Sequence, residues 1–174
     1  MRYRNMFLVP LVVAVLTVFL AAQQASVELP KYTEQQRWNR AATSAVLGNI
    51  MPIALGKAKG MTIDEIGNWL GNQYARTWNR PGTPRMLLNG LYWNFVCDPQ
   101  GTLEVLSASE NEITFRGNRP YLAVFGDMRI SYGVTVEEYE KVGMIIDKAI
   151  AEWMGLAIEE KIEGPWWITT IRKK

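Results

Sequence analysis

The chain contains no histidine, and that absence decides much of the chemistry open to it. Without an imidazole there is no His-dependent triad, no haem held by an axial histidine and almost no zinc or copper site. Cys97 is the only cysteine, so neither a thiolate metal cluster nor an intrachain disulfide can form. Catalysis would have to come from carboxylates, Lys, Tyr, Ser/Thr or that one thiol, and no metal or cofactor is expected. One loop, Gly126–Gly133, gathers an acid, a cation and a phenol: Asp127, Arg129 and Tyr132. Loops carry function more often than core segments do, so these three are the candidate catalytic residues, suited to a hydrolase or lyase. Ser131 beside them has no visible base. Cys97 follows Trp93, Phe95 and Val96 and reads as a small buried hydrophobe rather than a nucleophile paired with Asp98.

The seven tryptophans supply the other chemistry, because indole offers a large rigid face and one N–H donor to an apolar or ring-bearing ligand. Trp38 and Trp153 fall on apolar helix stripes and are expected in the core. Trp166 and Trp167 are adjacent in a strand and must point to opposite faces, so only one of them can be buried. That pair, with Trp69 and Trp93, forms the candidate ligand-binding set.

Three helix starts share one device that must position these groups. Thr33 with Gln36, Thr62 with Glu65 and Thr135 with Glu138 each form the Thr-x-x-Glu/Gln capping box. The first helix is expected over Glu34 to about Leu47, broken or kinked by Gly48 and Pro52. The second is expected from Ile63 to about Trp78, burying Ile66, Leu70, Tyr74 and Trp78, and stopping at Asn79-Arg80-Pro81-Gly82. Gly67 and Gly71, four apart on it, call for close backbone packing, since glycine otherwise costs ~1 kcal/mol in a helix. Met86–Val96 fits helix or buried strand equally. Thr102–Arg116 alternates as a hairpin, and a short helix is expected at Tyr121–Phe125. Val136–Met154 is the clearest helix. Its apolar stripe is Tyr139, Val142, Ile146, Ile150 and Trp153, with Glu137, Glu140, Lys141, Asp147, Lys148 and Glu152 on the remaining surface. A second hairpin pairs Ala157–Glu163 with Trp166–Ile171 across Gly164-Pro165. The expected fold is a single α+β domain with a four- to five-stranded antiparallel sheet and helices packed on one face.

An apolar targeting helix precedes that domain. Arg2 and Arg4 stand before the uncharged stretch Met6–Ala22, and the next charge is Glu28. A basic flank followed by a long apolar run is read by the export machinery and leaves the N-terminus inside. At about 1.5 Å per residue the run covers roughly 25 Å, short for a span and long for a signal peptide. Residues 1–22 are therefore a signal peptide or signal anchor, 23–32 a linker and 33–174 the domain. The product is either a single-pass cell-membrane protein or, after cleavage, a periplasmic or secreted one. The formal charge of +2 belongs wholly to Arg2 and Arg4: seventeen bases and seventeen acids remain beyond Ala22. A neutral domain offers no basic surface for nucleic acid.

The stretch from about Gly101 to Ile171 resembles the 4-vinyl-reductase-type small-molecule-binding domains and the related thiazoline-carboxylate-hydrolase-like proteins. The likeness is carried by the helix face Ile146, Ala149, Ile150, Trp153 running into Met154-Gly155-Leu156, and by Glu163-Gly164-Pro165-Trp166-Trp167-Ile168. It implies a compact α+β fold with an apolar pocket between helices and sheet. Members often carry cysteines around the Gly turn, where Trp166, Trp167 and Ile168 stand here, so no metal or thiol site carries over. The functional expectation is an exported or membrane-tethered, non-catalytic domain binding a small apolar ligand or a membrane-protein partner. The alternatives are the loop-based hydrolase or lyase and an accessory subunit of a membrane complex.

Overall fold

The computed structural model describes residues 30–96, 98–126 and 128–174, with the side chains of Val96, Met128 and Arg129 excepted. The targeting segment Met6–Ala22, Cys97 and Asp127 lie outside the described residues. Chain contacts separate Met1–Tyr32 from Thr33–Lys174, and every described helix and strand belongs to the second unit.

All three predicted capping boxes form. Thr33 Oγ1 accepts from the Gln36 N–H at 3.2 Å while Gln36 Oε1 accepts from the Thr33 N–H at 2.9 Å, opening α1 (Glu34–Ala58). Thr62 opens α2 (Ile63–Ala75) and Thr135, much further along, opens the longest amphipathic helix in the same way. Contrary to the sequence expectation, α1 runs unbroken through Pro52. The proline forfeits one backbone bond, but Ile50 and Ile53 on either side are 0% and 1% exposed. Burying two such side chains is worth roughly 3–6 kcal/mol, against about 3 kcal/mol for an interior proline. Tertiary packing wins. Trp38, expected in the core, is 60% exposed on the N-terminal half of that helix, where Ala42 is the sole buried residue before Ile50.

The ambiguous apolar run is a helix, α3 (Pro84–Val96), reached through Asn79–Gly82. Gly82 N–H donates to the Met154 carbonyl at 2.9 Å, and Arg80 lies 4.0 Å over the Trp153 ring. The first hairpin pairs β1 (Leu103–Ala108) with β2 (Glu112–Asn118). A bulge between Val105 and Ser107 interrupts the alternation that the sequence suggests for β1. Two single turns, α4 (Leu122–Phe125) and α5 (Met128–Ser131), lead to α6 (Val136–Met154), which stops at Gly155 in the left-handed conformation, φ 79°. The closing hairpin is β3 (Leu156–Glu163) and β4 (Trp166–Lys173).

The strands form one antiparallel sheet in the order β1-β2-β4-β3, so the protein is α+β with a four-stranded sheet. Its inner face, with Ile113, Phe115, Thr169 and Ile171 all at most 2% exposed, packs against α3 and α6. Its outer face is a polar ladder: Thr114 and Thr170 bond at 3.0 Å, and Arg172 bridges Glu112 and Glu159. α2 packs on the far side of α6 as the two glycines demand. A Cβ on Gly67 would lie 2.8 Å from Ile145 Cδ1, and one on Gly71 would lie 2.8 Å from the Ala149 Cβ.

We expect Gly71→Val to push α2 off α6 and to cost about 1–3 kcal/mol in denaturant unfolding. Gly48→Ala, whose added Cβ meets nothing within 4 Å, gains roughly 0.5–1 kcal/mol by the same measurement.

Candidate functional site

Between the helices and the inner face of the sheet lies a cavity of about 570 Å³. Its mouth is framed by exposed lining residues of three helices: Ala45 and Asn49 on α1, Tyr74 at the end of α2 and Asn94 on α3. Its floor is Phe115 and Thr169 of the sheet with Ile150 of α6. Volumes of 300–1,000 Å³ are typical of small-molecule sites.

Two carboxyls stand in this largely apolar space. Asp147 comes from the sheet-facing line of α6, one turn after Gly143 and one before Ala151. Glu160 comes from β3, on the same strand face as Leu156, Ile158 and Ile162. Both residues are half-buried and line the cavity. Trp167 Nε1–H donates to Glu160 Oε1 at 2.8 Å, and the Thr169 hydroxyl, directly opposite across the β3–β4 pairing, donates to the same oxygen at 3.2 Å. The remaining partner of Glu160 is Asp147, within side-chain hydrogen-bonding reach.

Desolvation pushes Asp147 up to about 7, partly offset by its bond to Glu160. Desolvation, reinforced by the charge of Asp147, pushes Glu160 up to about 9 against the two hydrogen bonds from Trp167 and Thr169. Two carboxyls this close cannot both ionise cheaply, so they titrate as a pair and share a proton near neutral pH. Among the described residues that line the cavity there is no Lys or Arg to relieve them.

An aromatic cluster closes one end. The Tyr121 ring lies 5.1 Å from Tyr139 and 6.5 Å edge-on to Trp167. Trp167 fits over α6 because position 143 is glycine, where a Cβ would come within 3.1 Å of its Cη2. Tyr121 is held by a second polar group that the sequence pattern places at the surface: Glu140, only 6% exposed. Its carboxylate accepts from the Tyr121 hydroxyl at 2.7 Å and from Arg119, whose Nη1 also reaches the Gly164 carbonyl at 3.2 Å. That ion pair ties the β2–α4 loop to α6 and to the β3–β4 turn. Burial, and then the bond to Glu140, hold the Tyr121 phenol well above its ordinary range.

The predicted site residues fare differently. Trp167 lines the cavity, while Trp166 points to the opposite face, 4.5 Å under the Arg116 guanidinium. Trp69 and Trp93 are exposed at 59% and 68% on α2 and α3 and do not line it. Tyr132 is exposed with φ 51°, and its two proposed partners, Asp127 and the Arg129 side chain, lie outside the described residues. The sequence pattern places Asp147 and Glu140 on the water-facing side of α6, and the structure corrects both. A signal for them existed: Glu140, Asp147, Ala151 and Met154 recur at helical spacing, and Glu160 sits in phase with Ile158 and Ile162. Among the described residues no helix is long and apolar enough to cross a membrane, and no group of three or more potential metal ligands occurs.

No known family model matches the chain, and no curated protein matches it in sequence. Among solved structures it is similar to the Fe(II) unliganded H-NOX protein from K. algicida and to a point variant of it, at 14% and 15% identity. The match covers 69% of this chain and 68% of that one, with a TM-score of 0.38 in both cases. A likeness of that degree speaks for no function.

Because folding raises both carboxyls from 3.8 and 4.5 in the unfolded chain, the folded state binds more protons between about pH 4 and about pH 9. Stability therefore falls as pH rises through that window. Glu160→Gln, which keeps the shape and removes the charge, should flatten the profile and raise Tm at about pH 8 by roughly 3–8 °C, read by thermal unfolding across the pH range.

Proposed function

We propose that the protein is a binding domain for a small, largely apolar ligand, held in the cavity between α1, α2, α6 and the sheet. The observation that carries this reading is a cavity of about 570 Å³ with an aromatic end, an open mouth and a desolvated carboxyl pair inside it. Keeping two acids in an apolar space costs stability, and a fold built only to pack would fill the same positions with aliphatic side chains. The carboxyls give a ligand its polar anchor and the rings give it area. The resemblance to the 4-vinyl-reductase-type domains that the sequence suggests, with the apolar pocket it implies, agrees with this reading.

The leading segment supports a working place on the outer side of a cytoplasmic membrane, with Met6–Ala22 as tether or as cleaved signal. Expressed full length, the protein should sediment with membranes and stay there in alkaline carbonate, with Met1 or Arg2 as its first residue, if the segment is an anchor. A soluble product beginning near Gln23 would establish the cleaved form.

An acid–base enzyme is the second reading, favoured by one observation: Asp147 and Glu160 stand side by side on the wall of the cavity where a substrate would lie. It moves the hydrolase or lyase chemistry from the Asp127 loop to the cavity.

Binding is checked with the neutral dye Nile red and with quenching of the part of the tryptophan emission that Trp167→Phe removes. Ala45→Trp, at the exposed mouth, should weaken dye uptake by about tenfold without lowering Tm, since it fills access space and not core. Dye that binds wild type and variant alike would place the site elsewhere, and no uptake by either would overturn the reading.

A further inference from the structure

The lining of the cavity is biased in sign. The charged side chains that the described residues place on its wall are Asp98, Asp147 and Glu160, all of them acids. Three bases on the flanking elements are committed elsewhere. Lys57 pairs with Glu138, Lys141 with Asp64, and Arg119 with Glu140 and the Gly164 carbonyl, and none of the three lines the space. The same cavity is lined by the rings of Trp167, Tyr139, Tyr121, Tyr74 and Trp78. Carboxylates among aromatic faces are what an ammonium group seeks, through ion pairing and through the ring quadrupole.

We propose that the cavity selects an organic cation: an amine whose ammonium group rests against Asp147 and Glu160 and whose apolar body fills the aromatic end. This deepens the small-ligand reading and rests on it. Glu160 Oε1 is already taken by Trp167 and Thr169, which leaves its second oxygen and the Asp147 carboxylate for the three N–H donors of an ammonium. A cation there removes the repulsion that otherwise forces the two acids to share a proton. An anionic ligand would add a like charge to three acids in a space of low dielectric, and a neutral one would leave their charge uncompensated. The site therefore discriminates by charge first and by shape second.

Three probes of nearly equal shape test the assignment: 2-phenylethylamine, 2-phenylethanol and phenylacetate, titrated calorimetrically against the full chain in nanodiscs at about pH 8, where the amine is still protonated. The expected result is an amine affinity about tenfold or more above that of the alcohol, with phenylacetate weakest. The double variant Asp147→Asn, Glu160→Gln should bring the amine-to-alcohol ratio to about one, and Asp147→Glu, which keeps the charge, should retain a preference. Circular dichroism of each variant separates lost recognition from lost folding. The alcohol or phenylacetate binding as tightly as the amine, with Nile red still taken up, overturns the cation assignment and leaves the small-ligand reading standing. Failure of Nile red and of all three probes overturns both.

Discussion

The constraint on which this fold depends is that α6 is packed on two sides at once. One side meets the inner face of the sheet and the other meets α2 so closely that a side chain at position 67 or 71 would force its neighbours to shift. A helix held in this way has little solvent-facing circumference left, so residues that a free amphipathic helix would keep in water are turned inward. Glu140 and Asp147 are the result. One is neutralised by Arg119 and becomes a tie between loop, helix and hairpin. The other meets a second acid instead of a base.

The two acids show how differently the same residue type behaves when its partner changes. Glu140 accepts donors from Arg119 and Tyr121, so its burial is compensated and serves to fix the β2–α4 loop. Such a pair is costly to break, because the remaining charge would be buried alone. Asp147 and Glu160 have only hydroxyl and indole donors and each other. Among the described residues that line the cavity no base stands against them, so their burial costs stability that an ion pair would return. The absence of histidine makes this pair more telling, since carboxylates carry much of the titratable chemistry left to the chain near neutral pH.

The tryptophans carry a related lesson. Exposure separates Trp69 and Trp93 from the cavity, and strand alternation separates Trp166 from Trp167 although they are neighbours in sequence. The alternation itself was readable from the two residues being adjacent in a strand. Which of the two faces inward was not, because that depends on where α6 lies and on Gly143 leaving room for an indole. Trp38 makes the opposite point: its helix stripe is apolar, yet among the described residues it is left exposed, so the pattern alone does not decide burial.

The amino-acid sequence by itself determined the local features whose causes lie within a few residues. These are the three threonine caps, the glycine stop of α6, both hairpins, the α+β class and the close approach marked by Gly67 and Gly71. Capping boxes, left-handed glycines and strand periodicity are short-range, and nothing distant overrides them. Only the tertiary structure decided that α1 continues through Pro52, because the burial of Ile50 and Ile53 outweighs the missing backbone bond. It alone brought Asp147 and Glu160 together from a helix and a strand. Each looks like an ordinary surface acid in its own element, and the hydrophobic pattern of that element does not reveal whether the face opposite is water, an arginine or another carboxylate. Charge in a low-dielectric space is a property of the neighbours, and the neighbours are chosen by packing.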